Sequence, residues 1–183
     1  RLASRYTKAL ARSMSNAKQV KAANPLNNGL PSVATYKTGD GVALFSTAHT
    51  TVSGTDVSNT LTTQADLNET SLEQALIDIA AFTDERGLKV AARGVKMIIP
   101  SANQFNAERL LKSQGRTGTA DNDINAVNSM GMIPQGYRVN HFLNDSDSWY
   151  VITDVPNGMK HFERTPLTTS MEGDFDTGNV RYK

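Results

Sequence analysis

The stretch "TSLEQALIDIAAFTDERG" (residues 70–87) carries a clear helical pattern. Its apolar side chains recur every three or four residues and form one face: Leu72, Ala75, Leu76, Ile79, Ala80 and Phe82. Thr70 followed by Glu73 predicts an N-terminal capping box, and Gly87 stands where a C-terminal cap belongs. We therefore predict a helix between these signals, with one buried face.

The next stretch, "VKMIIPSANQFNAERLLKSQG" (95–115), predicts a buried strand that leads into another helix. Ser101 or Asn103 is the expected N-cap of this helix, and Gly115 lies just past its end. The side chains predicted to face inward are Phe105, Leu110 and Leu111.

Upstream, "RLASRYTKALARSMSNAKQVKAAN" (1–24) is the longest helical pattern in the chain. Its apolar residues form one stripe, which we expect to be buried: Leu2, Tyr6, Leu10, Met14, Ala17 and Val20. Pro25 is expected to end the helix, because the residue before a proline disfavours helical geometry.

The segments around these helices predict strands and polar connections. Residues 33–49 predict two short strands joined by a turn at 39–41, and residues 50–68 predict an extended polar surface segment. A loop rich in Gly, Thr, Asn and Asp follows the last helix, and further strands are predicted at 137–143, 148–154, 159–165 and 179–183. Helices followed by a run of strands predict an α+β fold rather than alternating βαβ units.

The composition excludes several classes of protein. The chain has 183 residues, of which 38% are hydrophobic and 20% charged, as is ordinary for a globular domain. It contains no cysteine, so disulfide scaffolds and thiolate metal sites are excluded. No apolar run approaches the roughly 20 residues of a membrane span, so we predict no membrane partner.

Charge is distributed unevenly along the chain. Seven of the 19 basic side chains and none of the 18 acidic ones lie within residues 1–39. The 12 basic and 18 acidic groups that remain give residues 40–183 a formal charge of −6. A basic arm on an acidic body suggests either a polyanion partner or a neighbouring copy of the same body.

The stretch "DGVALFSTAHT" (40–50) places Ser46 close to His49, as in a serine hydrolase. No G-x-S-x-G elbow surrounds Ser46, and no neighbouring glycine pair offers an oxyanion hole. We favour the interpretation that these polar residues cap a turn after a strand, with a hydrolase built on Ser46 and His49 as the alternative.

The three histidines, His49, His141 and His161, lie far apart in the sequence and show no H-x-H or H-x-x-x-H spacing. We therefore predict no catalytic residue, no metal ligand and no cofactor.

The first helix carries a cationic stripe, since Arg1, Arg5, Lys8 and Arg12 fall on neighbouring turns. Such a stripe could bind DNA directly or dock on an acidic neighbour. We favour the acidic neighbour, because the same helix carries an apolar stripe and offers only Tyr6 for stacking on bases. These four residues are our predicted subunit interface.

Four stretches together resemble the major capsid (head) subunit of tailed bacteriophages, especially the Mu-like head-subunit group. They are "DGVALFSTAHTTVSGTDVSN" (40–59), "DLNETSLEQALIDIAAFTDERG" (66–87), "VKMIIPSANQFNAERLLKSQ" (95–114) and "SWYVITD" (148–154). In that group the Leu-Phe-Ser-Thr-Ala-His stretch is usually followed by proline, where this chain has Thr50.

The resemblance implies a Hong Kong 97-type capsid fold, with a long spine helix, a peripheral lobe and an axial lobe. Residues 1–39 would form the spine helix and part of the peripheral lobe. Residues 40–175 would form the axial lobe, and residues 176–183 a strand that returns to the peripheral lobe.

The implied function is structural and not enzymatic. Such a subunit self-assembles into hexamers and pentamers of an icosahedral shell, which encloses double-stranded DNA without sequence-specific binding. Portal, scaffold and decoration proteins are the implied partners, with assembly in the host bacterial cytoplasm and a final place in the virion. An encapsulin-like shell that packages protein cargo is the alternative within the same fold.

Overall fold

The computed structural model describes residues 2–30, 36–116, 123–166, 168–173, 175–178 and 180–182; for residues 2, 3 and 180–182 only the backbone is described. Its helices are α1 (Leu2–Asn27), α2 (Glu69–Ala80), α3 (Gln104–Lys112) and α4 (Ala126–Ser129), with a 3₁₀ turn at Ser101–Asn103. Its strands are β1 (His49–Thr50), β2 (Asp56–Val57), β3 (Gly94–Ile99), β4 (Tyr137–Val139), β5 (Tyr150–Thr153), β6 (Met171–Gly173) and β7 (Val180–Tyr182). This mixture of helices and sheets confirms the α+β class.

The chain forms two compact units. The terminal unit contains Arg1–Ala22 and Met159–Lys183, and the central unit contains Ala23–Gly158. Within the described residues, no helix is long and apolar enough to cross a membrane.

The core of the central unit lies around a three-stranded sheet with the strand order β4-β3-β5. The central strand, β3, pairs parallel with β4 and antiparallel with β5. Buried side chains from the sheet, the helices and the connections form one cluster: Leu67, Leu72, Leu76, Met97, Ile99, Ala107, Leu110, Val127 and Ile133. The sheet is therefore covered by α2, α3 and the segment around α4.

Close packing at the start of β3 depends on Gly94. A Cβ atom at this position would lie 2.8 Å from Leu76 Cδ2 and 3.1 Å from Val151 Cγ1. A side chain at this position would force Leu76 or the strand to shift and would press against Val151, in a core that has little free space.

Helix α2 begins with a different cap from the one predicted. Asn68 is the N-cap: its side chain accepts a hydrogen bond from Ser71 N at 2.8 Å, and its backbone N–H donates to Ser71 Oγ at 3.0 Å. Thr70 lies inside the first turn, so the predicted Thr70–Glu73 capping box is wrong. Asn and Thr both cap helices, and Asn68 prevails because its partner Ser71 is buried and reciprocates the bond.

The end of α2 also differs from the prediction, because Gly87 lies in a hairpin rather than at the helix C-cap. Residues 82–90 fold back on themselves, with a bridge between Thr83 and Lys89. Asp84 Oδ1 accepts the backbone N–H groups of Arg86 and Leu88 at the tip, and Gly87 takes a positive φ of 81°. Helix α2 thus ends at Ala80, seven residues before Gly87, and the Asp84 carboxylate closes the turn that contains this glycine.

Helix α3 faces the core with Ala107 and Leu110, and Leu111 is half-buried. Phe105 is 74% exposed, which contradicts its predicted inward position. At about 100° per residue, Phe105 points away from the side shared by Ala107 and Leu110. Asn103 occupies the N-cap position but makes no side-chain capping bond.

Helix α1 continues past Pro25 to Asn27, so the predicted stop at Asn24 is wrong. The proline removes one backbone hydrogen bond near the end of the helix, where tertiary contacts compensate for the loss. Ala23 and Leu26 are buried, and the Asn27 side chain donates to Phe142 O at 2.9 Å and accepts from Asn144 N at 3.0 Å.

The predicted strand pairs are present only in part. In the described residues of 33–49, Lys37 forms a single antiparallel bridge with Ala43. The polar segment 50–68 contributes the unpredicted hairpin of β1 with β2, and Trp149 Nε1 donates to Ala65 O of the same segment at 3.0 Å. No strand forms at 159–165, whereas β6, which the sequence did not indicate, pairs with β7.

Candidate functional site

The stretch around His49 contains a His–Asp pair like the one found in serine hydrolases. His49 Nδ1 lies 2.7 Å from Asp40 Oδ2, and because an ionised carboxylate can only accept, Nδ1 carries the shared proton. In a serine hydrolase the other ring nitrogen would accept the proton of the nucleophile. Here His49 Nε2 is buried and has no hydrogen-bond partner among the described residues.

The hydroxyl and backbone groups of Ser46, the candidate nucleophile, form hydrogen bonds with nearby parts of the chain. Its hydroxyl oxygen accepts the backbone N–H of Ala48 at 3.1 Å, which forms a tight turn. Its backbone N–H donates to Asn59 Oδ1 at 2.9 Å, and its carbonyl accepts from Asn59 N at 3.1 Å. The structure therefore does not bring Ser46 and His49 together as nucleophile and base.

The segment instead ties several parts of the central unit together. Phe45 N donates to Gly29 O at 2.8 Å, and the Phe45 ring lies 5.2 Å from that of Tyr150. Tyr150 in turn donates its hydroxyl to Leu26 O at 3.0 Å. The Leu-Phe-Ser-Thr-Ala-His stretch thus joins the end of α1 to β5. Sequence reasoning missed Asn59, since one asparagine in a polar segment gives no local signal.

Asp40 is the most strongly perturbed acid in the described chain. Hydrogen bonds from the Thr38 hydroxyl and from His49 lower the pKa of its carboxyl group from 3.8 to about 2. The backbone N–H of Val42 adds a further bond at 3.1 Å. Each of these donors stabilises the charged form, so the group closes the 38–42 turn as a carboxylate.

The remaining histidines form no site. His141 follows β4 in the central unit, and His161 belongs to the terminal unit; both are exposed. No group of three or more His, Asp or Glu side chains that could hold a metal ion occurs among the residues described.

The cationic stripe of α1 lies at the surface of the terminal unit. Arg5, Lys8 and Arg12 are exposed and form no ion pair with any described residue, while Arg1 lies outside the described residues. A cation on another side of the helix, Lys18, pairs with Glu163 from the C-terminal segment, and this contact lowers the pKa of the Glu163 carboxyl group.

The apolar stripe of α1 is exposed as well, which contradicts the expectation that it is buried. Tyr6, Leu10, Met14 and Val20 are all exposed in the isolated chain. Helical periodicity requires a partner for such a face, and the described residues of the same chain do not supply one.

A second exposed apolar feature lies in the hairpin formed by β6 and β7. Met171 is 68% exposed, and Phe175, at the turn, is fully exposed. The sequence pattern gave no sign of this feature, because isolated apolar residues between acids carry no periodicity.

Comparisons with known proteins identify the family. A family model described as phage capsid protein matches residues 2–183, which is nearly the whole chain. Searches of curated proteins and of solved structures find no significant match. The exposed stripes of α1 are compatible with a structural protein that contacts other chains. The chain therefore belongs to the phage capsid protein family.

Proposed function

We propose that this chain is the major capsid subunit of a tailed phage, which self-assembles into hexamers and pentamers of an icosahedral head around double-stranded DNA. As a member of a capsid family, it is a structural protein of the virion. The observation that carries the finer proposal is α1, whose apolar and cationic stripes are both exposed and lack partners among the described residues.

The proposal extends to the Hong Kong 97-type fold of the Mu-like group. The two ends of the chain lie in one compact unit and the middle in another, which is the segment order that a peripheral and an axial lobe require. The same order holds for the proposed lobes, since the peripheral lobe would contain residues 1–39 and 176–183 and the axial lobe residues 40–175. Their boundaries lie 17 residues after those of the compact units, at 22/23 and 158/159.

The test of assembly uses the full-length product. Sedimentation velocity and electron microscopy should show large closed particles. A protein that stays monomeric at all salt concentrations would contradict the proposal. Shells that enclose protein and exclude DNA would favour the encapsulin-like alternative. Host cytoplasmic assembly and portal, scaffold or decoration partners would follow from a phage head.

The cationic stripe, Arg1, Arg5, Lys8 and Arg12, is the proposed subunit interface. The variant Arg5→Glu with Arg12→Glu should impair assembly while the subunit stays folded, because exposed charges contribute little to the stability of their own chain. A matched control with the same charge change is Lys37→Glu with Lys89→Glu, at exposed positions outside α1. If the stripe variant assembles normally and loses only DNA retention, the stripe binds nucleic acid instead.

A further inference from the structure

The outer face of α3 presents an exposed aromatic ring beside an unpaired cation. Phe105 is 74% exposed, and the exposed side chains of Arg109 and Lys112 lie one and two turns further along the helix. At about 100° per residue the three side chains fall within about 60° of one another, so they share one face. Lys112 is paired with Glu108 at 2.7 Å, whereas Arg109 forms no ion pair with any described residue. This face is therefore apolar at Phe105 and positive at Arg109.

The outer face of α2 has a matching apolar group and the opposite charge. Ile77 is 62% exposed, and the half-buried Glu73 lies four residues before it, on the same side of the helix. Helix α2 carries three acids and no base. Two of these acids, Glu69 and Asp78, already accept hydrogen bonds from side chains of the same chain. Within the part of the chain that the structure describes, the Glu73 carboxylate has no ion pair.

The two faces match in spacing as well as in charge. Glu73 precedes Ile77 by four residues and Arg109 follows Phe105 by four, so each charge lies about 6 Å along its helix from the apolar group. If the two helices belong to different copies and run antiparallel, one register places Phe105 on Ile77 and Arg109 beside Glu73. That register buries apolar area at its centre and brings opposite charges together at its side.

We propose that the outer face of α3 in one copy docks antiparallel on the outer face of α2 in a second copy, with Phe105 against Ile77 and Arg109 paired with Glu73. This inference rests on the proposed function, because it names one contact through which neighbouring subunits assemble. The occupant is a second copy because the chain presents both halves of the match, and Phe105 and Ile77 are both exposed within one chain. The contact joins two different surfaces, so it is heterologous and extends from copy to copy.

The cationic stripe of α1 is the competing partner for Glu73. The large apolar side chains of α1, such as Leu10, lie on the opposite side of that helix from Arg5 and Arg12. The stripe therefore offers a charge to Glu73 and no apolar group to cover Ile77. The outer face of α3 offers both, which is why we favour it.

Charge reversal in the full-length protein tests the proposed ion pair. Glu73→Arg and Arg109→Glu each bring like charges together at the contact, so each should lower the assembled fraction about tenfold at a concentration where the wild type assembles. The variant that combines both changes restores opposite charges and should recover most of the assembly, as measured by sedimentation velocity. Glu73→Arg combined with Arg12→Glu should give no recovery. Urea unfolding checks that each variant is folded.

Disulfide trapping tests the register, because the natural chain has no cysteine. Phe105→Cys with Ile77→Cys, assembled and then mildly oxidised, should shift most of the chain from the monomer band to a reducible ladder of dimers and higher species. A disulfide forms only where the two Cα atoms approach within about 7 Å. Mixing the two single variants should give dimers, because each copy then offers one half of the contact. Phe105→Cys with Val52→Cys, which places the second thiol at an exposed position between β1 and β2, should give no ladder.

The possible failures are distinguishable. No recovery in the combined charge reversal, or recovery with Arg12→Glu instead, overturns the inference. A disulfide confined to the monomer band, or dimers formed by one single cysteine variant alone, overturns it as well. If a charge variant fails to fold, the cysteine ladder decides. Particles that assemble normally and give no ladder refute this contact and leave the capsid function standing, whereas a wild-type chain that never assembles refutes both.

Discussion

Helices α1 and α2 carry the same kind of apolar stripe, but the stripe of α2 is buried and that of α1 is exposed. In α2, Leu72, Leu76 and Ile79 are buried in the core of the central unit. In α1, the side chains at the corresponding spacing are exposed from Tyr6 to Val20. Periodicity predicts that a helix has a face to bury, and it does not say whether the partner is the same chain or another one.

The largest expected effect tests this contrast directly. Leu72 is fully buried, so Leu72→Ala should lower the free energy of unfolding by about 2–5 kcal/mol through lost burial and the cavity left behind. The matched variant on α1, Leu10→Ala, should change it by no more than about 0.5 kcal/mol. Urea unfolding followed by circular dichroism measures both. Equal losses would mean that α1 is buried within its own chain.

The packing of β3 against α2 predicts the second-largest change in the free energy of unfolding. Gly94→Ala would place a methyl group 2.8 Å from Leu76 Cδ2, and we expect a loss of about 1–3 kcal/mol from overpacking. Gly158→Ala is the control, since a Cβ atom there meets nothing within 4 Å. The same unfolding experiment applies, and an unchanged stability for Gly94→Ala would show that β3 can move away from α2.

The cap of α2 predicts a smaller effect. Asn68→Ala removes the acceptor for Ser71 N and should cost about 1 kcal/mol. Thr70→Ala, which removes the cap that the sequence suggested, should stay within about 0.5 kcal/mol. If thermal unfolding shows a larger loss of stability for Thr70→Ala than for Asn68→Ala, Thr70 is the cap and Asn68 is not.

The smallest effects come from exposed carboxylates, one in each unit. The pKa of Asp40 is lowered to about 2, so its stabilisation is present above pH 3.8 and is lost as the pH falls toward 2. The pKa of Glu163 is also lowered, by Lys18, so that contact weakens at some pH below 4.5. The stability gap between wild type and Asp40→Asn should therefore be constant near neutral pH and shrink between about pH 4 and pH 2. A gap that grows on acidification would contradict the sign.

Sequence predicted the features that depend on local pattern. Strand β3 and parts of the core faces of α2 and α3 follow from short apolar runs and helical spacing, as the burial of Met97, Ile99 and Leu110 shows. Ala80 of α2 and Phe105 of α3, which were predicted on those faces, are exposed. Features that depend on distant residues were missed. The helix passes Pro25 because Asn27 bonds to Phe142 and Asn144, more than a hundred residues away.

The functional surfaces show the same division. Spacing alone placed Arg5, Lys8 and Arg12 on one side of a helix, and the structure leaves them exposed. Their role as an interface stays a prediction, because no partner chain tests it. Proximity in sequence suggested that Ser46 and His49 share a site. In the structure the Ser46 hydroxyl accepts a hydrogen bond from Ala48 N, and His49 Nδ1 forms a hydrogen bond with Asp40. Residues close in sequence cannot be assigned to a shared site until each hydrogen bond is known.

The hydrogen bond from Trp149 to the carbonyl of Ala65 has a practical consequence for watching this protein unfold. Trp149 is the sole tryptophan of the sequence, and it lies in the central unit. Intrinsic tryptophan fluorescence is therefore a reporter of residues 23–158 alone, and loss of the Ala65 contact should change the emission as water reaches the indole. The terminal unit has no tryptophan and gives no tryptophan signal in the same experiment. A fluorescent label at position 175 would report the unfolding of this unit independently.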